Sequence, residues 1–75
     1  MNAKEIVKAA IAESGMSFAT IAKEAGYKRS SNVSEIIRAG NMRVDSMLRI
    51  LEVCGCEVII RSNKKGVPDR KVELE

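Results

Sequence analysis

Residues 16–55, MSFATIAKEAGYKRSSNVSEIIRAGNMRVDSMLRILEVCG, decide the fold. They read as three short helices in a row, each closed by a glycine. In the first, Phe18, Ile21, Ala22 and Ala25 recur at helical spacing and predict an apolar face. Ser17 stands where a cap belongs, Gly26 ends the helix, and the two alanines let another helix cross closely. The second opens at Ser30-Ser31-Asn32, stops at Gly40 and spans about Ser31–Ala39. Its apolar face is Val33, Ile36 and Ile37, and its opposite face is Ser31, Ser34, Glu35 and Arg38. Asn32 followed by Glu35 has the form of a capping box, with Ser31 the alternative cap. The third opens after Asn41-Met42-Arg43 and stops at Gly55. It predicts burial of Val44, Met47, Leu48 and Leu51, with Cys54 an optional extension of the stripe. Asp45 in its first turn suits the helix dipole.

Working outward, Asn2 with Glu5 forms a capping-box-like pair ahead of the stripe Ile6, Ala10 and Ile11, with Val7 beside it. Gly15 suits a left-handed end, so a helix over about residues 3–14 is expected, with Met16 packed back against it. Beyond Gly55 the pattern changes. Cys56 to Arg61 is rich in β-branched residues and reads as a strand. Asn63-Lys64-Lys65-Gly66 is a turn signal, and Arg70 to Leu74 alternates as a weak return strand. A lone hairpin is marginal in water, so the strand around Ile59 needs an edge to pair with. The same strand of a second subunit is a candidate, and Val58, Ile59, Ile60 and Arg61 are the expected dimerisation residues. The closing Leu74-Glu75 is read as a cloning scar.

Seventy-five residues, 45% of them apolar, suffice for one small domain with a thin stability margin. Phe18 and Tyr27 are the only aromatic residues, so the core must be aliphatic. Cys54 and Cys56 sit too close in sequence to staple distant segments, and a reduced cytoplasmic setting is the simple expectation. No signal-peptide pattern and no run of about 20 apolar residues is present, so no membrane partner is expected. With no histidine in the chain, the usual general base and a mixed zinc site are both lacking. Four thiolates shared between two subunits would be needed to hold a metal, and helix-end cysteines more simply belong to the core. The glycines punctuate helices and form no phosphate loop. No catalysis, no metal and no cofactor are expected.

The net charge is +3, and its location carries the information. Residues 1–27 balance, and so do residues 50–75. The whole excess falls in 28–49, where Lys28, Arg29, Arg38, Arg43 and Arg49 face only Glu35 and Asp45. Two short helices joined by a glycine-containing turn, with hydroxyl, amide and basic groups opening the second, describe a helix-turn-helix able to enter a DNA major groove. A local basic excess across that helix is the footprint of a phosphate-facing surface. Arg29 and Arg38 can each donate paired hydrogen bonds to a guanine edge. Ser30, Ser31 and Asn32 stand at a helix N-terminus, whose free N–H groups attract phosphate, though capping is the simpler role for at least one of them. Glu35 can accept from cytosine, orient an arginine or complete the cap.

The ordered set Met16-Ser17, Ile21-Ala22, Ala25-Gly26, Val33, Ile36, Gly40-Asn41 and Val44 to Gly55 resembles the lambda-repressor-like, Xre-type helix-turn-helix domain. The match covers most of the first 55 residues, best at IAKEAG and AGNMRVDSMLRILEVCG. Three departures stand out: a longer Gly26-to-Gly40 spacing, Phe18 where the family commonly has a phosphate-touching Gln, and a strand in place of the common fifth helix. The fold so expected is mainly α, a compact four-helix lambda-repressor-like helix-turn-helix bundle over 1–55, followed by a short C-terminal β-strand or hairpin over 56–75. The resemblance implies that Ser30, Ser31 and Glu35 match base-reading positions and that Arg29 and Arg38 read bases or phosphates. It also implies that Asn41 and Arg43 match phosphate-contacting loop positions. With Lys28, Asn32 and Ser34 on the same surface, these residues form the candidate DNA-binding set. The function expected is that of a small dimeric repressor on an inverted repeat of double-stranded DNA. Two alternatives stand beside it: an antitoxin that offers its C-terminal segment to a protein toxin, and a protein-interaction module that binds no DNA.

Overall fold

Asn2 opens α1 (Ala3–Ser14): its Oδ1 accepts the Glu5 N–H at 2.9 Å, satisfying one of the free donors of the first turn. The computed structural model describes residues 1–73. Gly15, at φ 69°, ends α1 in the left-handed region, and the Ser14 hydroxyl accepts the Met16 N–H at 3.1 Å across that corner. The Ser17 hydroxyl caps α2 (Phe18–Ala25) by accepting the Thr20 N–H at 3.1 Å. At the far end the Gly26 and Tyr27 N–H groups return to the Lys23 and Ala22 carbonyls. That is the paired closure a left-handed glycine permits. A five-residue connection, 26–30, leads to α3 (Ser31–Ala39), and Gly40 ends that helix. After 40–43 comes α4 (Val44–Val53), closed by Gly55 N–H to Glu52 and Cys56 N–H to Leu51.

One side chain from each helix is fully buried: Val7, Ile21, Val33 and Ile50. Ile11, Ala22 and Ile37 complete the central cluster, and Met16, Tyr27, Ile36, Met42, Met47, Val53 and Cys54 pack around it. The core is aliphatic, and it joins α1 to α3 and α4, and α2 to α3 and α4. Three residues assigned to buried stripes stand out in solvent. Ile6 is 38% exposed because the α1 stripe centres on Val7, Ala10 and Ile11, leaving Ile6 at its flank. Phe18 is 41% and Val44 67% exposed. Each begins its helix, where the axis has not yet reached the core. Conversely Ile50, absent from the expected stripe of α4, is fully buried beside Leu51.

The start of α3 also differs from expectation. Ser30 already has helical geometry, φ −61° and ψ −31°, and makes no side-chain cap. Arg29 therefore stands in the capping position. The Asn32 Oδ1 reaches back to accept its N–H at 3.0 Å, while the Asn32 N–H donates to the Arg29 carbonyl at 3.1 Å. Asn32 supplies the reach-back half of a capping box, so neither Ser31 nor an Asn32–Glu35 pair caps this helix.

The chain ends in a two-stranded antiparallel hairpin, β1 (Val58–Ile60) and β2 (Arg70–Val72). Val58 faces Val72, Ile59 faces Lys71 and Ile60 faces Arg70. The strand is shorter than the expected 56–61, because the Cys56 N–H is committed to the end of α4 and Arg61 already turns to Asp69 across the loop mouth at 3.3 Å. Leu74 of the expected return strand, and with it the proposed terminal scar, lies outside the described residues. The two strands bond chiefly to each other, and with them the molecule extends 44 Å along its long axis against 23 and 21 Å across. The architecture is thus mainly helical, four helices followed by a short hairpin.

Candidate nucleic-acid interface

The buried face of α3 is set by Val33 and Ile37, with Ile36 partly buried beside them. At 100° per residue this places Ser31, Glu35 and Arg38 on the far side of the helix, and all three are exposed. Ser34 sits at the flank, partly buried. Its hydroxyl donates to the Ser31 carbonyl at 2.9 Å, so its lone pairs are directed along the helix surface.

Lys28, Arg29 and Ser30 are exposed in the connection just before the helix. Gly26 is what allows this connection. At φ 85° it turns the chain out of α2, and Tyr27 then folds back to pack against the core. The Asn32 bond holds the Arg29 backbone while leaving its guanidinium in solvent. Two segments thus present one surface, the connection 28–30 and the outward stripe 31, 35 and 38.

The charges of 28–49 divide by environment. Arg43 is held by Asp45 through Nε and Nη2, each 3.2 Å from a carboxylate oxygen. Asp45 in turn accepts the Ser46 N–H at 3.0 Å. Arg49 shares a shallow depression between α2 and α4 with Glu24 and Glu52. Neither belongs to the outward face of α3. Lys28, Arg29 and Arg38, opposed on that face only by Glu35, have no ion-pair partner among the described residues. Glu35 and Arg38 are one helical turn apart yet form no ion pair, so both side-chain ends remain available. Asn41 is exposed in the connection after α3. Lys28, Arg29, Ser30, Ser31, Glu35 and Arg38 are thus exposed on the connection before α3 and on its outward stripe, with Ser34 at the flank. The structure assigns Asn32 to backbone support, and Arg43 to a local ion pair. The role of Asn32 was legible only in part: an amide near a helix start signals a cap, but which N–H it serves depends on where helical geometry begins.

The Tyr27 hydroxyl is buried with no hydrogen-bond partner. Sequence reasoning assigned it no role, since burial of a turn tyrosine is decided by packing. At the other end of the core, burial pushes the Cys54 thiol above its ordinary value, a hydrogen bond with Ser14 opposes the shift, and the neighbouring Cys56 adds to it. A thiol so held is protonated and a poor nucleophile. Among the described residues no three metal-ligating side chains come together. No helix of the described chain is long and apolar enough to cross a membrane. A cleft of about 460 Å³ lies between α4 and the hairpin and is lined by Leu48, Leu51, Val58 and Val72 with flanking charges.

No family model matches this chain, and no curated protein or solved structure is significantly similar to it.

Proposed function

We propose that the chain binds double-stranded DNA through α3 and acts as a small transcriptional regulator of helix-turn-helix type, resembling the lambda-repressor-like family. The observation that carries this reading is the division of charge. Lys28, Arg29 and Arg38 lie exposed around one end and one stripe of a single short helix, opposed there only by Glu35 and with no ion-pair partner among the described residues, whereas the charges of 1–27 balance and so do those of 50–75. A short helix whose outward face holds arginine, serine and glutamate matches the donor and acceptor code of a major groove better than it matches a general polyanion. With α3 in a major groove the connection 28–30 would lie toward the flanking phosphates, and Ser30 makes no side-chain cap that would compete for the N–H groups opening α3. Acting as a dimer, two copies of α3 would enter successive major grooves with half-site centres about 34 Å apart. Such a regulator would work in the cytoplasm.

The test is selection from a pool of random duplexes at moderate salt, followed by sequencing. An enriched inverted repeat is the expected result, with affinity falling steeply as salt rises, a log–log slope of about −0.9 for each phosphate neutralised. Retention without enrichment would replace sequence-specific regulation with general coating. Folded protein that retains no duplex even at low salt would overturn the reading and leave a protein-interaction module.

A further inference from the structure

Residues 57–61 read Glu-Val-Ile-Ile-Arg. β1 lies in a sheet of only two strands, so one of its edges is bonded to β2 and the other has no strand beside it among the described residues. That edge is not closed off as exposed edges usually are, by a central charge, a proline or a bulge. Ile59 and Ile60 stand 48% and 53% exposed, and the charges sit at the two ends of the strand. Acidic end, apolar middle and basic end make the segment complementary to its own reversed copy.

We propose that β1 is the seam of a homodimer, pairing antiparallel with β1 of a second copy about a two-fold axis at Ile59. In that register Ile59 meets the partner subunit's Ile59, and Val58 meets the partner subunit's Ile60. Glu57 meets the partner subunit's Arg61, and the symmetry repeats the last two pairs. Parallel pairing in register would set Glu57 against the partner subunit's Glu57 and Arg61 against the partner subunit's Arg61, like charges directly opposed. Moving the axis to Val58 or Ile60 loses both ion pairs. The charged groups have capacity to spare. Arg61 uses Nε and Nη2 on Asp69, leaving Nη1, and Lys71 approaches only Oε2 of Glu57, at 3.7 Å. Both of these pairs are exposed and hold their partners weakly. The product is a four-stranded antiparallel sheet in the order β2-β1-β1-β2, which meets the minimum of three strands that a lone hairpin does not. The seam supplies the dimer on which the DNA reading relies, yet it forms without DNA.

The experiment is sedimentation equilibrium of the full chain in the absence of DNA, with helical content followed by circular dichroism. The wild-type chain is expected to dimerise. Glu57→Arg alone and Arg61→Glu alone should each weaken dimerisation by about tenfold, since two cross-strand pairs turn repulsive at once. Because one of these variants is basic at both positions and the other acidic at both, an equimolar mixture of the two should recover a heterodimer near wild-type strength. The double swap should recover a homodimer. A monomeric wild-type chain with intact helices overturns the proposal, as does a dimer indifferent to both swaps, or a hairpin occupied instead by a different protein. A dimer that recovers in the mixture yet binds no duplex would leave the seam standing and remove the DNA reading. A monomer that binds duplex would do the reverse.

Discussion

Arg38 and Tyr27 are the residues whose surroundings make the sharpest demands. Arg38 is exposed on the outward face of α3 with no ion-pair partner among the described residues, so its removal should cost the fold almost nothing. Arg38→Ala is expected to leave the unfolding midpoint within about 0.5 kcal/mol of wild type. The same change should weaken binding to the selected duplex by about 1–3 kcal/mol and relax preference at one base position. Titration of labelled duplexes, matched and singly mismatched, checks both parts. Equal loss on all sequences would make Arg38 a phosphate contact. Tyr27 poses the opposite case, since its ring packs on the core while its hydroxyl is buried without a partner. An unsatisfied buried hydroxyl carries its desolvation cost uncompensated, so Tyr27→Phe is expected to raise stability by about 1 kcal/mol in urea unfolding. A fall in stability would mean that the hydroxyl is bonded in solution.

At the scale of elements, the four helices are delimited by short-range chemistry. Asn2 and Ser17 cap by side-chain acceptance, and left-handed glycines end every helix. Gly26 is the one on which the candidate interface depends, because it sets where the chain leaves α2 and hence where Lys28 and Arg29 emerge. Nothing lies within 4 Å of a Cβ built there, so the cost of a side chain is conformational alone. Gly26→Ala should destabilise by about 1–2 kcal/mol through the left-handed backbone. Thermal unfolding measures it, and an unchanged midpoint would show that the turn can relax to another conformation. Gly26 also separates what neighbouring residues do. Ala25 is buried and the chain from Lys28 to Ser31 is exposed, with Tyr27 between them returning to the core.

For the whole molecule, the core is small and shared evenly, one fully buried side chain to each helix. Ile50→Ala should therefore cost about 2–5 kcal/mol, a large part of the roughly 4–11 kcal/mol that a 75-residue domain commands. Val44→Ala on the same helix should change stability by less than about 0.5 kcal/mol, because that side chain is 67% exposed. Paired urea titrations test the contrast. Similar losses for the two would show that α4 packs in a different rotation.

Helix number, helix ends and the hairpin were legible in the sequence, because each follows from contacts within a few residues: apolar period, capping side chains and glycines. The concentration of cations near α3 was legible too, since it needs only counting. What the sequence could not decide was which members of each stripe reach the centre. Phe18, Ile21, Ala22 and Ala25 share one helical face, yet only the last three are buried; Val44 lies on the α4 stripe and is exposed, while Ile50 is sealed. Helical periodicity specifies a direction around the axis but not how far along it a neighbouring helix extends, and that distance is settled only when all four helices pack. The same holds for charge. Arg43 and Arg38 count alike in a sequence, but the turn of the chain brings Asp45 onto the first and leaves the second free of any such partner among the described residues. Tertiary structure alone decided which face of α3 meets solvent: packing turned Val33 and Ile37 inward and left Ser31, Glu35 and Arg38 exposed.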